Sequence, residues 1–132
     1  MLLMAALVFL ASEDVGSTKP STLAKETRQL STVELNTKLV GAEVELVVPP
    51  EMRWLHPGEY FYADGRYVLY DHQEKSTGSY RVRDHAVCTR VEGEPEACRF
   101  IFVDVDGLFW IGSNKIYPDQ LRQIRFKKIE GR

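Results

Sequence analysis

Cysteine is scarce in this 132-residue chain. Two thiols are too few for a disulfide-scaffold mini-protein or for a complete cysteine zinc site. An excess of one charge is missing too: 17 Lys and Arg against 19 Asp and Glu give a formal net charge of −2. No sustained positive surplus exists to neutralise a phosphate backbone, which argues against a nucleic-acid partner. Long apolar runs are absent; the longest, Met1–Ala11, is about half of what a bilayer-spanning helix needs. There is no internal repeat and no low-complexity tract, no Gly-x-Ser-x-Gly elbow and no phosphate-binding glycine loop. What remains, 44% hydrophobic and 27% charged residues, is the composition of one globular domain with one core.

The N-terminus speaks to compartment. Met1 to Ala11 is uncharged and apolar and gives way to small and polar residues from Ser12 onward, as in the apolar region of a secretory signal, although no basic residue precedes it. Residues 1–12 are therefore expected to be a signal segment and the mature protein to be extracytoplasmic, periplasmic or secreted, without an integral membrane span. Glu13 to Gln29 has almost no apolar periodicity and reads as a flexible lead-in. A single β-rich domain is expected over residues 30–132.

Within it, Ser31-Thr32-Val33-Glu34 has capping-box spacing and predicts one short helix, closed by Gly41. Short β-rich runs follow. Val44–Val48 is stopped by Pro49-Pro50, and Glu59–Ala63 and Arg66–Asp71 flank Asp64-Gly65. A two-residue turn there would set Tyr62 against Tyr67 and put Tyr60, Tyr62, Tyr67 and Leu69 on one face, with Phe61 and Val68 on the other. Gly78–Arg83 alternates with Tyr80 and Val82 inward. Asp84-His85 makes the next turn. Ala86–Val91 and Ala97–Val105 form a hairpin around Glu92–Pro95, Asp106-Gly107 ends it, and Leu108–Ile111 and Gln123–Ile129 complete the set, with Trp110 expected in the core. The fold class is mainly β: one short N-terminal helix, then a meander of seven or eight antiparallel strands curled into a small barrel or sandwich.

The two cysteines lie on the arms of that hairpin. With a Glu92–Glu94 loop, Val91 pairs with Pro95 and Cys88 falls opposite Cys98, within reach of a disulfide. The spacing is not Cys-x-x-Cys and no histidine adjoins either thiol, so a structural bond made after export is the better reading.

Several of these features resemble a small, uncharacterised class of bacterial secreted or periplasmic β-domains. They are Leu39-Val40-Gly41, Phe61 with Asp64-Gly65-Arg66, Gly78-Ser79-Tyr80, Cys88, Cys98 and Asp106-Gly107, spanning about Leu35 to Ile111. These are turn and core residues, so the resemblance implies a fold and an extracytoplasmic setting but no reaction.

Chemistry-bearing motifs are few. His56, His72 and His85 are scattered without His-x-His or His-x-x-x-His spacing, so no metal site is expected. Asp104-Val105-Asp106-Gly107 resembles part of a calcium loop, but in that frame Phe102 takes the first ligand position and Ser113 the place of the bidentate Glu. Glu51, Glu59 and Asp71 are the carboxylates available for acid–base pairing, with no further catalytic signature. No cofactor and no catalytic residue is assigned. The recognition candidates cluster in Pro49–Tyr62: Arg53, Trp54, His56, Glu59, Tyr60 and Tyr62, because Trp and Tyr bury large areas at little entropic cost; the competing and favoured reading is that Trp54 caps one open end of the barrel and the tyrosines fill its core. The expected function is a non-catalytic binding or interaction domain, inhibitor-like, with an unknown protein partner. A lipocalin-like carrier of a small apolar ligand is the alternative, and a secreted hydrolase the third. No function is attached to the closing Ile129-Glu130-Gly131-Arg132.

Overall fold

The computed structural model describes residues 26–51, 58–71, 74–113 and 120–129. Their elements are β1 (Thr27–Gln29), α1 (Thr32–Leu39), β2 (Ala42–Leu46), β3 (Gly58–Phe61), β4 (Arg66–Asp71), β5 (Glu74–Arg83), β6 (Ala86–Val91), β7 (Ala97–Asp104), β8 (Phe109–Gly112) and β9 (Arg122–Lys128). From β2 to β9 each strand pairs antiparallel with the next, and β9 returns to β2. The result is a closed eight-stranded up-and-down barrel. Closure leaves no strand of the ring as a free sheet edge along its whole length, which short isolated hairpins cannot achieve.

β1 is an addition outside the ring. β7 pairs with β6 through Ala97–Arg99 and with β1 through Phe102–Asp104, its other edge being held by β8. Where β6 leaves β7, β1 takes over. Residues 27–29 therefore belong to the folded unit, not to the lead-in expected from their composition. Three residues contributing backbone pairing carry no apolar period to read.

The helix forms as its capping box dictates. The Ser31 hydroxyl accepts from Glu34 N–H, the Glu34 carboxylate accepts from Ser31 N–H, and Gly41 follows the C-cap at φ +81°. Leu35 and Leu39, one turn apart, are fully buried. Together with Leu30, whose N–H donates to Ile101 C=O, they stop one end of the barrel. Inward positions alternate along every strand: Val44, Phe61, Tyr67, Val87, Ile101, Ile111 and Ile124 form the core with these leucines. Tyr80 and Val82 pack against that core and Arg81 and Arg83 are exposed, as the alternation of β5 requires.

The β3–β4 hairpin departs from the two-residue turn. Tyr62 N–H donates to Arg66 C=O and Gly65 N–H to Tyr62 C=O, so the loop is Ala63-Asp64-Gly65 with Gly65 at φ +95°. Phe61 faces Tyr67 and Tyr60 faces Val68. One extra loop residue moves every pairing by one and inverts the faces. Phe61, Tyr67 and Leu69 point inward, and Tyr60, Tyr62 and Val68 outward. The Asp64 carboxylate fixes this turn by accepting from both the backbone N–H and the Nε of Arg66. Trp110 is a second correction. It opposes Phe102 and Gln123 between the inward Phe109 and Ile111, so it lies half-buried on the outer surface. Its indole N–H donates to the Asp104 carboxylate at 3.0 Å.

Candidate functional site

The barrel places polar chemistry at one lumenal spot. Cys88 and Cys98 face each other with Cα atoms 3.9 Å apart and are joined as a disulfide on the outward face of the sheet, where Cys88 is buried, as the hairpin register required. That register turns the next residue, Arg99, inward, on the side of Ile101 and opposite Val87. Glu59, alternating with Phe61 on β3, points inward as well. The Arg99 guanidinium grips the carboxylate with both terminal nitrogens, Nη1 to Oε2 at 2.9 Å and Nη2 to Oε1. The Tyr67 hydroxyl donates to Oε1 at 2.6 Å. Side-chain exposure is only 25% for Arg99 and 12% for Glu59, so the pair is largely out of water.

Burial shapes the protonation of this triad. It pushes the Tyr67 hydroxyl well above the usual phenol range, and the Glu59 charge beside it adds to the rise, so Tyr67 remains a donor. Burial alone would lower the Arg99 guanidinium, but its bonds to Glu59 outweigh that and keep it charged. Both carboxylate oxygens accept bonds from within the triad, so Glu59 is engaged as a clamp and not held ready as a base.

A second cluster lies on the outer face of β3 and β4. Tyr60 and Tyr62 stand side by side, rings nearly parallel with centroids 6.1 Å apart, and Tyr70 meets Tyr60 edge-on at 5.3 Å. The Arg66 guanidinium covers the Tyr62 ring at 4.4 Å. All three tyrosines are half-buried over the buried Val68. Burial, reinforced by neighbouring Glu43, raises the Tyr60 hydroxyl above its ordinary range.

Of the candidates read from the sequence, Tyr60 and Tyr62 are thus brought together outside the barrel, and Glu59 is separated from them inside it. Arg53, Trp54 and His56 lie outside the described residues, as does His72. Tyr70 and Arg99 were missed. The signal for Arg99 was present: pairing Cys88 with Cys98 fixes the phase of the hairpin, and an arginine in the inward phase requires a buried anion.

Neither ion-binding motif survives the geometry. Cys88, Glu96 and Cys98 converge within 4.8 Å, but the two sulfurs are bonded to each other and Glu96 is held by Arg81 and Arg83. The Asp104 carboxylate is occupied by the N–H groups of Asp106, Leu108 and Trp110. Desolvation pushes this carboxyl up, yet the Trp110 indole and the backbone donors outweigh it and hold it below the usual range. Among the described residues no helix is long and apolar enough to cross a membrane.

Comparison with protein-family models, with curated proteins and with solved structures gives no match to this chain. Its class is therefore defined by its architecture: a disulfide-bonded, eight-stranded antiparallel barrel stopped at one end by a helix.

Proposed function

We propose that this protein is an extracytoplasmic, non-catalytic binding domain that engages a protein partner through the outer tyrosine face of β3 and β4. The observation that carries this reading is the placement of Tyr60, Tyr62 and Tyr70 on the outside. The core has its own aromatics, Phe61 and Tyr67, so the outer three are surplus to barrel packing. Rigid, amphipathic rings with two rotatable bonds are the side chains that dominate recognition surfaces. The Cys88–Cys98 bond and the apolar Met1–Ala11 segment both support an oxidising compartment.

The carrier alternative is less supported. Among the described residues the interior is occupied by Leu30, Leu35, Leu39, Phe61, Tyr67 and Ile101, each at most 3% exposed, and the buried Arg99 and Glu59 are clamped to each other.

Native mass spectrometry of the protein taken from its own source tests the reading. A stoichiometric protein complex is expected, lost in Tyr60→Ala/Tyr62→Ala/Tyr70→Ala and kept in Arg81→Ala, which alters a different part of the outer surface. A complex indifferent to the tyrosines, or a retained small-molecule adduct in its place, overturns it.

A further inference from the structure

The β5–β6 turn is Asp84-His85, and both residues have positive φ, +52° and +64°. Non-glycine residues adopt this conformation uncommonly, although Asp and His do so more readily than most. The turn brings His85 to the start of α1, 53 positions away in the chain. Thr32 N–H donates to His85 Nδ1 at 2.9 Å, His85 N–H donates to the Thr32 hydroxyl at 2.8 Å, and the Gln29 side-chain amide donates to His85 C=O at 3.3 Å. Thr32 is the first residue of α1, so its N–H has no acceptor within the helix. His85 supplies that acceptor.

An amide N–H can only donate, so this bond exists only while Nδ1 carries no proton. Protonation would set donor against donor at the Thr32 N–H, leave Nδ1 only the longer contact to the Thr32 hydroxyl at 3.3 Å, and place a positive charge at the positive end of the helix dipole. The charged groups nearest the turn are Arg28 of β1, Glu34 of α1, and Arg83 and Asp84 of β5 and its turn, while Lys38 in the last turn of α1 lies over Phe109. Glu34 is bonded to Arg28 and Asp84 lies 3.6 Å from Arg83, so each acid already faces its own arginine. The start of β6 brings only Ala86 and Val87. His85 is solvent-exposed and open to protons.

We propose that His85 is a pH-sensitive clasp: the neutral imidazole fastens the β1–α1 segment to the barrel, and protonation slackens it. Slackening is not expulsion. Leu30, Leu35 and Leu39 remain buried, so the expected change is in how often the plug opens, about fivefold to tenfold for one lost bond.

Amide hydrogen exchange of residues 30–41 in the full disulfide-bonded chain, corrected for intrinsic exchange, measures this at about pH 7.5 and about pH 5. In the wild type, protection of α1 should fall about fivefold to tenfold at the lower pH while β4 and β5 hold theirs. His85→Asn keeps a side-chain acceptor, tolerates positive φ and does not titrate, so its α1 protection should stay level. His85→Ala should be poorly protected at both values. A flat wild-type profile, or the same fall in His85→Asn, overturns the proposal.

Discussion

Replacing Arg99 by Met leaves the Glu59 carboxylate inside the barrel with the Tyr67 hydroxyl as its remaining partner. The side chains concerned are 12% and 25% exposed, so water cannot take over the two lost charge-assisted bonds. Breaking a buried pair by removing one member costs about 3–5 kcal/mol, because an unpaired charge stays behind. For a domain of about a hundred residues that corresponds to a melting temperature lower by about 15–25 °C. Exposed pairs should behave differently. Arg28 with Glu34, at 63% and 35%, is screened by solvent and should matter far less. The companion variant Arg99→Met/Glu59→Leu/Tyr67→Phe removes the whole polar cluster and should recover most of the loss, since a well-packed apolar set replaces a desolvated one. Urea denaturation of the single variants and the triple, analysed as a mutant cycle, decides the matter. If Arg99→Met costs less than about 1 kcal/mol, or if the single losses simply add up to that of the triple, the triad is not the buried, coupled unit described.

Other regions of the barrel are equally open to test. Cys88→Ser should lower stability by about 2–3 kcal/mol, the chain-entropy value for a bond closing a separation of 10 residues, and thermal denaturation with and without reductant should show the difference vanish once the wild type is reduced. A Cβ added at Gly78 would lie 1.9 Å from the Arg90 carbonyl oxygen and within 2.9 Å of two further backbone atoms, so Gly78→Ala should cost about 3 kcal/mol or more in denaturant; a loss below about 1 kcal/mol would contradict this contact. The Glu34 carboxyl is held at about 2 by its bond to Arg28 and by the Ser31 N–H. Its folded value is depressed, so its capping contribution is present above the ordinary carboxylate range and lost as pH falls through about 2. Carbon-detected NMR titration should show that midpoint, and Arg28→Ala should move it upward; an unmoved midpoint would remove Arg28 as the principal cause.

Local rules made much of this protein legible from its residues. Ser31 and Glu34 announce the helix because capping needs only four consecutive residues. The alternation of Tyr80 and Val82 with Arg81 and Arg83 fixes which side of β5 is wet, and the loop around Gly93 pins Cys88 against Cys98. The β3–β4 hairpin shows where such rules stop. Asp64-Gly65 marks a turn in either a two- or a three-residue loop, and the choice rests on the bonds that Tyr62 and Arg66 make across it. That choice decides whether Tyr60 and Tyr62 share a face with Tyr67 and Leu69 or with Val68 and Tyr70, and the burial of Phe61 then puts the latter face outside.

Composition, capping, turn chemistry and strand alternation thus determined a helix followed by antiparallel strands with a cystine across one hairpin, because each depends on neighbours a few positions apart. The closure of β9 on β2, the insertion of β1 beside β7, the meeting of Glu59 with Arg99 and the hold of His85 on Thr32 were decided only by the tertiary structure. Contacts between residues 40 or more positions apart depend on how the whole sheet curls, and no local pattern encodes that curvature.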